Sequence, residues 1–185
     1  MTQLRRPSRD ELDAATGRTM PDVIAPRLRV LFCGINPSLY SAVVGYHFAR
    51  PGNRFWPTLH AAGITPHTFL PTEQDALLAL GYGITNVVDR ATATADLLAP
   101  GELERGARSL EAKVARYQPR FLAVLGVSAY RTAFGRPKAA LGPQPERLGD
   151  TRLWVLPNPS GLNAHYQLEA LGQLFSELRR AVEQD

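Results

Sequence analysis

Residues 28–38 read "LRVLFCGINPS": an apolar run that stops on a glycine and turns at once through Asn36, Pro37 and Ser38. A strand apolar on both faces belongs inside a sheet that is covered on both sides. Three further runs share this form and are also followed by turn formers: "GITNVV" (83–88), "RFLAVLG" (120–126) and "RLWVLP" (152–157). Between them lie helical patterns: "NRFWPTLHAAG", "TEQDALLALG", "GELERGARSLEAKVARYQ", "SAYRTAFG" and "QLEALGQLFSELRRAVEQ". In the last of these Leu168, Leu171, Leu174, Phe175 and Leu178 recur at helical spacing. Strands that alternate with helices predict a parallel sheet with helices on both faces and right-handed connections. The expected fold is therefore a single three-layer α/β/α domain over residues 26–185. Residues 1–25 are expected to form an N-terminal extension, a loosely attached helix and linker. The Pro- and Gly-rich stretch "RPKAALGPQPERLGD" (136–150) reads as an exposed loop.

At 185 residues the chain can bury a core without staples. Its 44% hydrophobic and 21% charged residues are too polar for a membrane-spanning helix. The basic N-terminus lacks an apolar segment of the kind a secretory signal needs, so a cytoplasmic monomer is expected, with no membrane contact. The lone Cys33 cannot form an internal disulfide and reads as a buried thiol. His47, His60, His67 and His165 show no metal-ligand spacing, and no phosphate-cradling GxxxxGK[ST] motif occurs. Neither a metal nor another cofactor is expected. Of the 21 basic residues only Lys113 and Lys138 are lysines, and the net charge of +4 suits a polyanionic partner. The same excess of arginine also fits codon bias in a GC-rich genome.

In open α/β sheets ligands bind beyond the carboxyl ends of the strands. "GINPS" (34–38) and "NPSGLN" (158–163) follow the first and last strands directly. Both are therefore expected on one rim of the sheet.

Four motifs, "GINPS", "FARPGNRFW" (48–56), "GITNVVDR" (83–90) and "LPNPSGLN" (156–163), together resemble the mismatch-specific uracil/thymine DNA glycosylases, a branch of the uracil-DNA glycosylase superfamily. The resemblance spans roughly residues 28–180. It implies a four-stranded parallel α/β domain and hydrolysis of the N-glycosidic bond of uracil, or a related pyrimidine, in mismatched double-stranded DNA. The nucleotide must then leave the duplex, at a cost of a few kcal/mol. By resemblance, Asn36 orients the attacking water, Phe48 stacks on the extruded base, and the main chain at Ile35 and Phe48 reads the pyrimidine edge. Ser41 takes the position that crowds a thymine methyl. Asn158 stands where more active uracil glycosylases carry a catalytic histidine. Leu162 is the expected wedge that fills the emptied stack, with Gly161, Leu162 and Asn163 facing the opposite base. Two positions depart from the family pattern: Ala164 replaces an arginine of well-known bacterial members, and Asn86 stands where some relatives carry lysine.

An amide can orient water but cannot take its proton. Asp89, just beyond the second strand, is the expected carboxylate for that task; it could instead pair with Arg90 or cap the segment "RATATADLL". Two rival readings follow. One is a catalytically silent lesion reader. The other is a serine hydrolase in which "LGVSAY" (125–130) approximates a nucleophile elbow around Ser128; there the bulky Tyr130 obstructs the tight turn, and Ser128 reads better as a helix N-cap.

Overall fold

The computed structural model describes residues 4–185. Its core strands are β1 (Val30–Gly34), β2 (Tyr82–Asn86), β3 (Phe121–Leu125) and β5 (Thr151–Leu156), paired in parallel in the order β2-β1-β3-β5. The apolar runs alternate with period two between two separate cores. Val30 and Phe32 of β1, with Phe121, Ala123 and Leu125 of β3, face one core. Leu31 and Cys33, with Leu122 and Val124, face the other.

The short helix α4 (Ala76–Ala79) leads into β2, and each core is closed by a pair of longer helices. α3 (Phe55–Ala61) and α7 (Leu168–Glu183) cover the first, through Phe55, Trp56 and Leu59 and through Leu171, Phe175, Leu178 and Val182. α5 (Pro100–Tyr117) and α6 (Val127–Ala133) cover the second, through Ala107, Leu110 and Val114 and through Tyr130 and Ala133. These are i, i+3/i+4, i+7 stripes, as an amphipathic helix on a sheet requires. Full burial of a side chain such as Phe32 or Phe175 contributes about 1.5–3 kcal/mol. Cys33 is buried as expected, and burial pushes its thiol well above the ordinary range.

Two expectations are corrected. The stretch read as a loop contains a fifth strand, β4 (Gly142–Leu148), antiparallel to β5 at the sheet edge, so the sheet is mixed and five-stranded. Pro143 and Pro145 are tolerated because an edge strand can dispense with their missing N–H groups, and the register breaks between Pro143 and Arg147. The N-terminal segment is docked and not loose; residues 1–3 of the expected extension lie outside the described residues. α1 (Arg9–Asp13) starts with a capping box between Ser8 and Glu11, and Gly17 N–H donates to the Ala91 carbonyl at 2.9 Å. Val23 exchanges backbone hydrogen bonds of 2.9 and 2.7 Å with Ile84, covering the free edge of β2. The buried end of this segment is held by an Asp22–Lys113 ion pair at 2.6 Å and an Asp22–Thr85 hydrogen bond at 2.8 Å.

Candidate active site

β1 ends on Gly34 because there is no room for a side chain. A Cβ there would lie 2.6 Å from Asn86 Oδ1 and 3.2 Å from Phe48 Cζ. With a bare backbone at the end of β1, Asn86 and Phe48 close over the strand terminus and wall a pocket of about 110 Å³. That is well below the roughly 300 Å³ of drug-sized sites and suits one small ring. Ile35, Asn36, Ser41, Phe48, Asn158 and Leu162 all line it. The two Asn-Pro-Ser turns thus share one rim, with β3 between their parent strands.

The surroundings force the amide orientation of both asparagines. Asn36 follows β1 and contacts the Arg90 carbonyl at 3.0 Å and Thr92 Oγ1 at 2.7 Å. The carbonyl only accepts, and the Thr92 hydroxyl already donates to the Thr94 carbonyl at 2.7 Å, so both contacts require the Asn36 NH2 group. Asn36 Oδ1 makes no hydrogen bond among the described residues and remains the acceptor. Asn158 is the reverse. Its Oδ1 accepts from the Ser160 N–H at 3.0 Å, which leaves its NH2 group, unbonded among the described residues, as the donor. One pocket therefore presents a fixed acceptor and a fixed donor.

Phe48 sits at φ 53° in the left-handed region, which costs about 1–3 kcal/mol outside glycine. Its ring stacks on Phe55 at 4.0 Å between centroids while lining the pocket. Several neighbours hold this conformation. The Ala49 N–H donates to Ser41 Oγ at 3.2 Å, and the His47 N–H donates to Gln74 Oε1 at 2.8 Å. His47 itself is buried, with Nε2 against the Pro21 carbonyl at 2.9 Å; burial lowers its pKa, so the ring is neutral and donates there. Ser41 is buried in α2 (Leu39–Val44). The Ile35 carbonyl is taken by the Val88 N–H at 2.9 Å, leaving its own N–H for any pocket contact.

The turn after β5 projects outward. Leu162 is 65% exposed, a large apolar side chain offered to solvent beside the pocket. Gly161 is required there, because a Cβ would lie 2.5 Å from the Gly52 carbonyl oxygen. Asn163 does not line the pocket. It stitches the turn, donating from Nδ2 to the Asn158 carbonyl at 2.9 Å and accepting at Oδ1 from the His165 N–H at 3.1 Å.

Asp89 does not reach the pocket. It is exposed and lines a separate shallow cleft with Glu102 and Arg105. The Val87 and Val88 N–H groups continue pairing with the Gly34 and Ile35 carbonyls, and this carries the chain past the rim toward α5 before Asp89 is reached. Nor does Asp89 pair with Arg90: Arg90 forms a bidentate pair with Glu102 at 2.5 and 2.9 Å, which holds the Glu102 carboxyl down at about 2. Ser128 is exposed and lies outside the pocket; the N-cap of α6 is Gly126, so the expected serine cap is absent.

Sequence reasoning missed Thr92 and Arg50 and singled out Asn86 only as a departure. Asn86 is 6% exposed and lines the pocket. Thr92 reaches Asn36 through a bridge between Ser38 and Thr92 that is 54 residues long in sequence and carries no local signal. Among the described residues that line the pocket, Arg50 alone carries a permanent charge.

The site is thus a small pocket at the carboxyl rim of the parallel strands of an α/β sheet, with an apolar side chain projecting beside it. The family model for the uracil DNA glycosylase superfamily matches residues 21–183, and the chain belongs to that superfamily, whose members are DNA glycosylases. The solution structure of a Methanosarcina acetivorans protein, described as a candidate uracil DNA glycosylase, is similar with a TM-score of 0.58 and 19% identity, over 88% of this chain and 98% of that one. At that identity the likeness concerns the fold.

Proposed function

We propose that this protein excises uracil from double-stranded DNA, with mismatched pyrimidines such as the uracil of a G·U pair as its preferred targets, and leaves an abasic site. The observation that carries this reading is the opposed polarity of Asn36 and Asn158 across one pocket. Asn36 Oδ1 accepts from a water and aims it at C1′ of the flipped nucleotide. Asn158 Nδ2 donates to O2 of the departing base. As the C1′–N1 bond breaks, its electron pair leaves with the base and spreads onto O2, where the amide stabilises it. The water oxygen bonds to C1′, and its proton passes to the base anion or to solvent. The cation-like sugar makes an activated nucleophile unnecessary, and Asp89 has no part in these steps.

Phe48 supplies the stacking surface, a contact worth about 1–3 kcal/mol per base. The Asn86 amide and the Ile35 and Phe48 N–H groups face the pyrimidine edge. Leu162 enters the emptied stack, and its burial returns about 1.5–3 kcal/mol against the cost of flipping. Ser41 limits space beside C5 of the base, and the turn 161–163 meets the opposite base.

The experiment is a uracil-containing duplex incubated with the protein and then treated with alkali. Strand breakage at uracil supports the reading. Tight binding without breakage identifies a lesion reader instead.

A further inference from the structure

Arg54 immediately precedes α3 and is remote in sequence from the turn that carries Leu162, yet it binds that turn four times. Its backbone N–H donates to the Pro159 carbonyl at 2.9 Å. Its guanidinium donates to the Ser160 and Asn163 carbonyls, both at 2.6 Å, and to the Tyr166 carbonyl. These four acceptors bracket Leu162 on both sides. None of the ion pairs among the described residues involves Arg54, and its Nε is buried without a partner. A guanidinium placed without a carboxylate, its charge spent on main-chain carbonyls, holds a backbone shape. Within the turn the remaining ties are short-range, from Ser160, Asn158 and Asn163.

We propose that Arg54 is the positioning residue of the wedge: it fixes the 159–166 turn in its projecting shape before DNA arrives, so that Leu162 enters the duplex without a loop-ordering cost. The inference rests on the glycosylase reading for its consequence but not for its geometry. Only a planar fork with several donors can span carbonyls three and six residues apart; the point charge of lysine cannot.

The test uses Arg54→Met and Arg54→Lys, each alone and combined with Leu162→Ala, and measures single-turnover uracil release from a G·U duplex and from single-stranded DNA. Either Arg54 variant is expected to slow the duplex reaction by about tenfold to a hundredfold and to lower the duplex-to-single-strand ratio. In the Leu162→Ala background the same change is expected to cost less than about twofold, because a residue that acts through the wedge has nothing left to act on. Equal loss on both substrates, or full multiplicative loss in the double variant, overturns the proposal. Arg54→Lys serves where Arg54→Met does not fold. Hydrogen exchange on the free protein gives an arm independent of activity. Faster exchange across 159–166 in Arg54→Lys, with strand amides unchanged, supports the anchor; unchanged exchange there overturns it. Should the wild-type protein release no base, the glycosylase reading fails, and the exchange measurement still decides the role of Arg54.

Discussion

Asn36 and Asn158 face the same pocket with opposite amide ends: the first has its NH2 group tied to Arg90 and Thr92, the second its oxygen tied to Ser160. Neither can turn over without leaving an N–H facing an N–H or two oxygens in contact. A symmetric pair of residue types thus becomes a polar axis, acceptor at one end and donor at the other.

Asn36→Ala removes the acceptor that orients water while leaving the stacking ring and the wedge in place. The single-turnover rate on a G·U duplex is expected to fall by about 10²–10⁴. Duplex affinity, read by fluorescence anisotropy, stays within about threefold, since uniform binding is retained.

Thr92 acts through Asn36. Thr92→Val removes one of the two acceptors that hold the Asn36 amide and leaves only the Arg90 carbonyl, so its orientation is less tightly fixed and the rate is expected to drop by about tenfold with KM unchanged. Thr92→Ser keeps the hydroxyl and restores the rate. A loss common to both variants would mark packing, not orientation, as the cause.

Leu162→Ala is expected to slow release from the duplex at least tenfold more than release from single-stranded DNA, where no stack needs filling. The protein's own stability should change by less than about 0.5 kcal/mol, because the side chain is exposed. Thermal melts alongside the kinetics check both halves.

Asp89→Ala should leave the single-turnover rate within twofold of wild type. The residue is exposed in a cleft beside Glu102 and Arg105, away from the pocket. A hundredfold loss would return the carboxylate to the mechanism.

Acidification should weaken the fold through His47. Burial lowers its pKa below the ordinary 6.5, so the unfolded chain takes up a proton that the native ring refuses. The contribution is complete above 6.5 and is lost as the pH falls from there through the lowered native value. Glu11 and Glu102, held at about 2 by Arg5 and Arg90, keep their contributions until the pH drops below 4.5. Urea midpoints at pH 7.5 and 5.5 should therefore differ in the wild type and converge in His47→Gln.

Much of this arrangement was legible in the chain. Four apolar runs, each ending in turn formers, announce a parallel sheet, because backbone polarity alone puts every strand's carboxyl end on one rim; Asn36 and Asn158 meet there for that reason. Ile35, Phe48 and Leu162 lie in motifs, and Ser41 close to one, that the family resemblance singled out, and all four line the pocket. Other features depended on contacts between distant segments. β4 was hidden by Pro143 and Pro145, which are tolerable only at an edge that pairing with β5 creates. Asp89 turned away because Val87 and Val88 go on pairing past the end of β2. The orientation of the Asn36 amide, and the hold of Arg54 on the wedge turn, depend on carbonyls and a hydroxyl 54 to 112 residues away in the chain, whereas the Asn158 amide is set locally by the Ser160 N–H. Sequence periodicity reports which face a side chain takes relative to its own neighbours; which end of the Asn36 amide is left free, or which carbonyls the Arg54 guanidinium meets, is decided by partners that only folding brings within hydrogen-bond reach.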